Sequence, residues 1–162
     1  MRTACRWICI LALLAADQVA KWAVRAFMPL GRSRQVIDGL FDIAYVRNEG
    51  AAWGMLAGWR YVFVALAFAM LAFFWFKRDK VFGYGRLGSV SLVLLTSGIA
   101  GNTIDRLVFG YVTDFLDFHW GVHHFPAFNV ADMCICIGAF LYILHAYLAD
   151  RADSGREARG AK

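Results

Sequence analysis

Four long apolar stretches crowd a chain of 162 residues, and they fix what it can fold into. Residues 61–76 are sixteen apolar side chains in a row, about 24 Å of helix at 1.5 Å per residue. Residues 87–104 hold eighteen and 133–149 seventeen without a charge, while 7–27 is interrupted by Asp17, Lys21 and Arg25. A bilayer core of about 30 Å takes about 20 residues to cross, so each stretch draws on its flanks. Trp59 and Arg60 lead into the second, and Asp105-Arg106 close the third. Charged residues make up 18% of the chain, against about 25% in a soluble domain. The predicted fold is an all-α membrane protein with four transmembrane helices, near 6–28, 59–77, 87–108 and 129–149. One integral membrane domain spans 1–162, with outer loops at 29–58 and 109–128.

The net charge of +5 sorts by side. Arg2 and Arg6 precede the first helix; Lys77, Arg78, Lys80 and Arg86 fill the link between the second and third; Arg151, Arg156, Arg159 and Lys162 follow the fourth. Four crossings put all three groups on one face, which the positive-inside rule makes cytoplasmic. Arg32, Arg34, Arg47 and Arg60 blur the contrast without reversing it. Both termini are expected inside and the two loops outside. The charge is a topology signal and implies no nucleic-acid partner. Arg2, Arg6, the run 7–14 and Ala15-Ala16 also resemble a secretory signal, but the helix continues through Lys21 to Phe27. Cys5, Cys9, Cys134 and Cys136 read as small apolar residues.

Within 29–58, Gln35-Val-Ile-Asp-Gly39 and Leu40-Phe-Asp-Ile-Ala-Tyr-Val46 set β-branched and aromatic residues around a turn-forming Asp38-Gly39. A small β-rich segment on the outer membrane surface follows. Asn48-Glu-Gly-Ala-Ala-Trp53 then offers small residues for close backbone approach, or a turn into helix two. The loop 109–128 carries Asp114, Asp117, His119, His123 and His124. Asn129, shortly after Pro126, is placed to cap the fourth helix, with Asp132 at its N3 position.

Polar residues beside membrane-length segments call for a reason. Asp17 and Lys21 lie four apart on one helical face and can pair, either as an interfacial ion pair or in support of a site. Gly98 and Gly101 allow helices to approach closely, and Asn102 and Arg106 share a face that reaches inward. Asp105 reads as a marker of the water interface. Asp132 in a first helical turn is favoured by the dipole alone, and Asp114 and Asp117 are each compatible with a solvated loop. Yet Asp17, Asn48, Asn102, Arg106, Asp114, Asn129 and Asp132 all map to the outer end of the bundle. Two carboxyls brought together there, one protonated and one ionised, are the equipment of aspartic proteolysis. No metal is expected, since adjacent histidines do not easily face one ion and no HExxH spacing occurs. No serine or cysteine has a base partner.

Five motifs carry a resemblance: Asp17-Gln-Val-Ala-Lys21, Asn48-Glu-Gly-Ala-Ala-Trp53, Gly98-Ile-Ala-Gly-Asn-Thr-Ile-Asp-Arg106, Asp114-Phe-Leu-Asp117 and Phe128-Asn-Val-Ala-Asp132. In order and spacing they resemble the motif series of bacterial lipoprotein signal peptidases (signal peptidase II), over about residues 7–148. The resemblance implies an aspartic endopeptidase of the bacterial inner membrane, needing no cofactor, with its site towards the periplasm. Its implied partners are membrane lipids and diacylglyceryl-modified prolipoproteins, cut just before the lipidated cysteine. Nothing requires more than a monomer. By position, Asp114 and Asp132 match the catalytic dyad, and Asp17, Lys21, Asn48, Gly98, Asn102, Arg106 and Asn129 match supporting positions. Ser97 replaces a common glycine and Thr113 a usual valine or isoleucine. With Asp132 at a helix start, its anion is favoured and Asp114 is expected to hold the proton. The competing reading is a small non-enzymatic membrane protein, a transporter, proton relay or scaffold built on the same polar cluster.

Overall fold

A computed structural model describes residues 3–50, 55–83 and 85–160. Four long apolar helices form the bundle: α1 (Thr3–Phe27), α2 (Arg60–Val81), α3 (Arg86–Val108) and α4 (Val130–Gly160). Each is long and apolar enough to cross a membrane. Apolar side chains point outward along them, Leu11, Trp22, Leu66, Phe76 and Ile143 among the more exposed. That inverts a soluble protein's surface and suits lipid. The most enclosed helix is α3, whose small residues Gly88, Ser89, Ser91, Ser97, Gly98 and Gly101 let its neighbours close in. α4 runs on to Gly160, past the expected end at 149.

The expected hairpin forms from β1 (Ser33–Ile37) and β2 (Phe41–Asn48), with Gly39 at the turn in the left-handed region at φ 68°. A difference lies in 109–128, read from sequence as a loop. Val112–Trp120 is a nine-residue strand, β3, and His123–His124 a short β4. Together they make one antiparallel sheet in the order β1-β2-β3-β4. Only 116–120 of β3 alternates apolar and polar residues, since its first four, from Val112 to Phe115, are all buried. The β2–β3 register slips between Ile43 and Val46, a bulge that sets Val46 opposite Asp114 and Asn48 opposite Val112. Val24 of α1 packs with Tyr45 and Phe115 and joins sheet to bundle. A second cluster, Phe74, Phe82, Leu92 and Leu95, closes the far end.

Candidate active site

α4 starts with a reciprocal cap. Asn129 Oδ1 accepts the Asp132 N–H at 2.9 Å, and Asp132 Oδ2 accepts the Asn129 N–H at 3.2 Å. The side chain of Asp132 is therefore turned back over the helix start, where exposed N–H groups and the dipole favour negative charge. Its other oxygen, Oδ1, accepts the Asn102 amide at 2.7 Å.

The amide of Asn129 faces the other way and donates to Asp114 Oδ1 at 2.7 Å. Asn48, at the end of β2, donates to Asp114 Oδ2 at 3.0 Å. One asparagine thus holds both carboxyls, that of Asp132 by its backbone N–H and that of Asp114 by its side-chain amide. Asp114 is 2% exposed. Burial, and then the neighbouring Asp132 carboxyl, push its pKa up to about 7, against the lowering pull of the Asn48 and Asn129 amides. A carboxyl poised near neutrality can hold or release a proton under working conditions.

Behind the two aspartates runs a buried polar network. Lys21 is 0% exposed. Its ammonium donates to Asn102 Oδ1 at 2.9 Å and lies 3.0 Å from Asp17 Oδ2 and 3.4 Å from Asp105 Oδ2. Asp17 Oδ1 in turn accepts the Ala131 N–H at 2.9 Å, fixing the first turn of α4. The positive charge reaches Asp132 through one asparagine amide. The pair of Asp17 and Lys21 is accordingly no interfacial ornament. Gly98 and Gly101 make these approaches possible: an added Cβ would fall 2.4 Å from Ala131 O and 2.6 Å from Asp17 Oδ2, respectively.

The reading of Asp105 as an interface marker is corrected. Asp105 is fully buried, flanked by Lys21 and by Arg25 at 3.6 Å, and its Oδ2 accepts the Thr113 N–H at 2.9 Å. Closure of the sheet over the bundle end removes it from water. Thr113, a departure from the family pattern, also accepts Arg25 Nη1 at 2.9 Å. Arg106 does reach inward, donating to Gly50 O at 2.9 Å, while Gly50 N–H donates to Asn48 Oδ1 at 3.0 Å. The rest of that motif, 51–54, lies outside the described residues. Sequence reasoning passed over Gln18, whose amide reaches Asp105 Oδ1 at 3.3 Å and Gly101 O at 3.2 Å. It also gave Gly101 a packing role alone. The signal was present in both cases: Gln18 adjoins Asp17, and Gly101 follows Gly98 by three residues.

A cleft of about 610 Å³ opens beside Asp114, lined also by Asn48, Glu49, Asp117, His124 and Phe125. His124 pairs with Asp117 at 3.0 Å and His119 with Asp42 at 3.3 Å, and the two imidazoles stack at 4.9 Å. Among the described residues no cluster of three or more metal-ligating side chains occurs.

A family described as signal peptidase (SPase) II matches residues 9–148. The lipoprotein signal peptidase of Shewanella pealeana is 42% identical over 153 residues, 91% of this chain and 88% of that protein. That of Symbiobacterium thermophilum is 42% identical across 88% of this chain and 95% of its own, and that of Neisseria gonorrhoeae 40% across 91% and 92%. A solved structure described as a bacterial membrane enzyme superposes with a TM-score of 0.85 at 33% identity, covering 94% of this chain and 93% of its own. With the family matched across nearly all of its length, this chain is a member of the signal peptidase II family of peptidases.

Proposed function

We propose that this chain is an aspartic endopeptidase that removes signal peptides from diacylglyceryl-modified prolipoproteins, cutting just before the lipidated cysteine. The single observation that carries the chemistry is the shared asparagine: Asn129 donates its side-chain amide to the Asp114 carboxyl and its backbone N–H to the Asp132 carboxyl. That arrangement keeps the two carboxyls in one assembly beside an open cleft. Asp132, over a helix start and hydrogen-bonded to Asn102, serves as the base. Asp114, whose pKa of about 7 favours the acid form, serves as the proton donor. A water between them attacks the carbonyl before the lipidated cysteine, giving its proton to Asp132. Asp114 donates to the carbonyl oxygen as the tetrahedral intermediate forms. Collapse expels the amine, which takes its proton from Asp132 as the gem-diol proton returns to Asp114. No covalent intermediate is needed.

The supporting residues act through these two. Lys21 and Asn102 orient Asp132; Asn48 orients Asp114; Arg106 holds the Gly50 carbonyl and so the segment bearing Asn48. Substrate lipid tails lie against the apolar bundle while the peptide crosses its outer end beneath 29–58. Both termini are cytoplasmic in the inner membrane, the site faces the periplasm, and the enzyme works as a monomer. Purified protein should cleave a diacylglyceryl-modified prolipoprotein and leave the unmodified precursor intact. Mass spectrometry of the product should find the modified cysteine at its N-terminus. Equal cleavage of both precursors, or of neither, would overturn the substrate assignment.

A further inference from the structure

The end of the bundle away from the two aspartates holds a pocket of about 70 Å³ between α1, α2 and α3. Arg6 and Trp7 contribute from α1, Phe74, Trp75 and Arg78 from α2, and Leu92 from α3. No acidic side chain lines it. Two guanidinium groups are thus gathered in an apolar setting without a carboxylate between them. Arg6 Nη2 donates to Ser89 Oγ at 3.2 Å, but its Nε is buried with no hydrogen-bond partner among the described residues. Desolvating a charged donor without an acceptor is unfavourable, so the pocket is incomplete as a purely structural feature. Arg78 lies over the Trp75 ring at 5.2 Å, and Asp79 is 3.8 Å away in a half-exposed pair.

We infer that Arg6 and Arg78 bind the phosphate headgroup of an anionic phospholipid in this pocket. A phosphate oxygen supplies the acceptor that Arg6 Nε lacks, and its charge offsets both guanidinium groups. On that scale one water needs about 10–15 Å³, so the pocket has room for the cluster of oxygens on a phosphate headgroup. The acyl chains lie among the surrounding lipids, against the exposed apolar faces of the helices. Trp7 and Trp75 pack at 5.5 Å beside the arginines, and indoles favour headgroup depth. Lys77, Lys80 and Arg86 follow at the same end of the bundle and add to the attraction for an anionic leaflet.

Reconstitution into nanodiscs of phosphatidylcholine doped with phosphatidylglycerol, followed by native mass spectrometry, reads the lipid retained on the protein. Wild type should retain phosphatidylglycerol over phosphatidylcholine by about tenfold. Arg6→Gln/Arg78→Gln should lose that preference and Lys77→Gln/Lys80→Gln should keep it. The folded arginine variant should cleave substrate normally in lipid-free detergent, because neither arginine touches the aspartate site. If the double variant does not fold, the half-exposed Arg78→Gln alone should lose part of the preference. Undiminished preference in the arginine variants, equal loss in the lysine variant, or displacement of the lipid by excess inorganic phosphate would each overturn the inference.

Discussion

Asp114 sits at the balance between two opposing influences. Burial and the nearby Asp132 raise its pKa, while the Asn48 and Asn129 amides stabilise its anion. Removing a donor to the charged form must raise the pKa further. Asn48→Ala should therefore move the alkaline limb of the kcat/KM profile, set by protonated Asp114 near pH 7, to higher pH. An unmoved or lowered limb would take the acid role from Asp114. Linkage gives a second readout. In the folded chain Asp114 binds its proton more tightly than in the unfolded chain, so its contribution to stability falls as pH rises through about 7. Asp114→Asn, which cannot ionise, should gain thermal stability over wild type, and the gain should be larger at about pH 8 than at about pH 5. Asn129, Asp132 and Asn102 could be grouped from sequence because their spacing to a helix start or along a helical face is local, whereas Asp114, on a strand read as loop, was singled out by the family resemblance. Asp105 was not, since its burial depends on a strand more than seven residues downstream and on a lysine from α1.

Helix contacts decide whether those residues meet. Gly98 on α3 faces the Ala131 carbonyl and Ile135 of α4 with no room for a methyl group. Ala131 adjoins Asp132, so a displacement there reaches the carboxyl directly. Gly98→Ala should cost roughly 1–3 kcal/mol of stability and lower kcat/KM in the folded fraction by about a hundredfold. Gly138→Ala, at the same helix pair but beside Leu95, should cost stability while sparing catalysis. Lys21→Met tests the buried network between elements. It strips Asp17 and Asp105 of their shared cation and should destabilise by about 3–5 kcal/mol, measured by thermal unfolding in detergent. All four helices could be read from sequence, because apolar length is a one-dimensional signal. β3 could not: only 116–120 alternates, its all-buried start from Val112 to Phe115 includes polar Thr113 and Asp114, and its partner is more than sixty residues away.

At the scale of the whole molecule, the bundle separates two chemistries. One end gathers carboxyls and amides under a four-stranded sheet, and the other gathers arginines beside tryptophans. A polar relay through the membrane would need polar groups at every depth, yet 62–76 has no ionisable side chain and the buried network stops at one end. A reporter that folds only in the cytoplasm should be active when fused after α4 and inactive when inserted at the Asp38-Gly39 turn. The reverse pattern would invert the proposed orientation. The most direct test of the dyad is a single-turnover cleavage assay of Asp114→Asn and Asp132→Asn beside wild type, with folding checked by thermal unfolding in the same detergent. A dyad predicts that each folded variant loses cleavage by about a hundredfold or more. Normal turnover by either folded variant would contradict it.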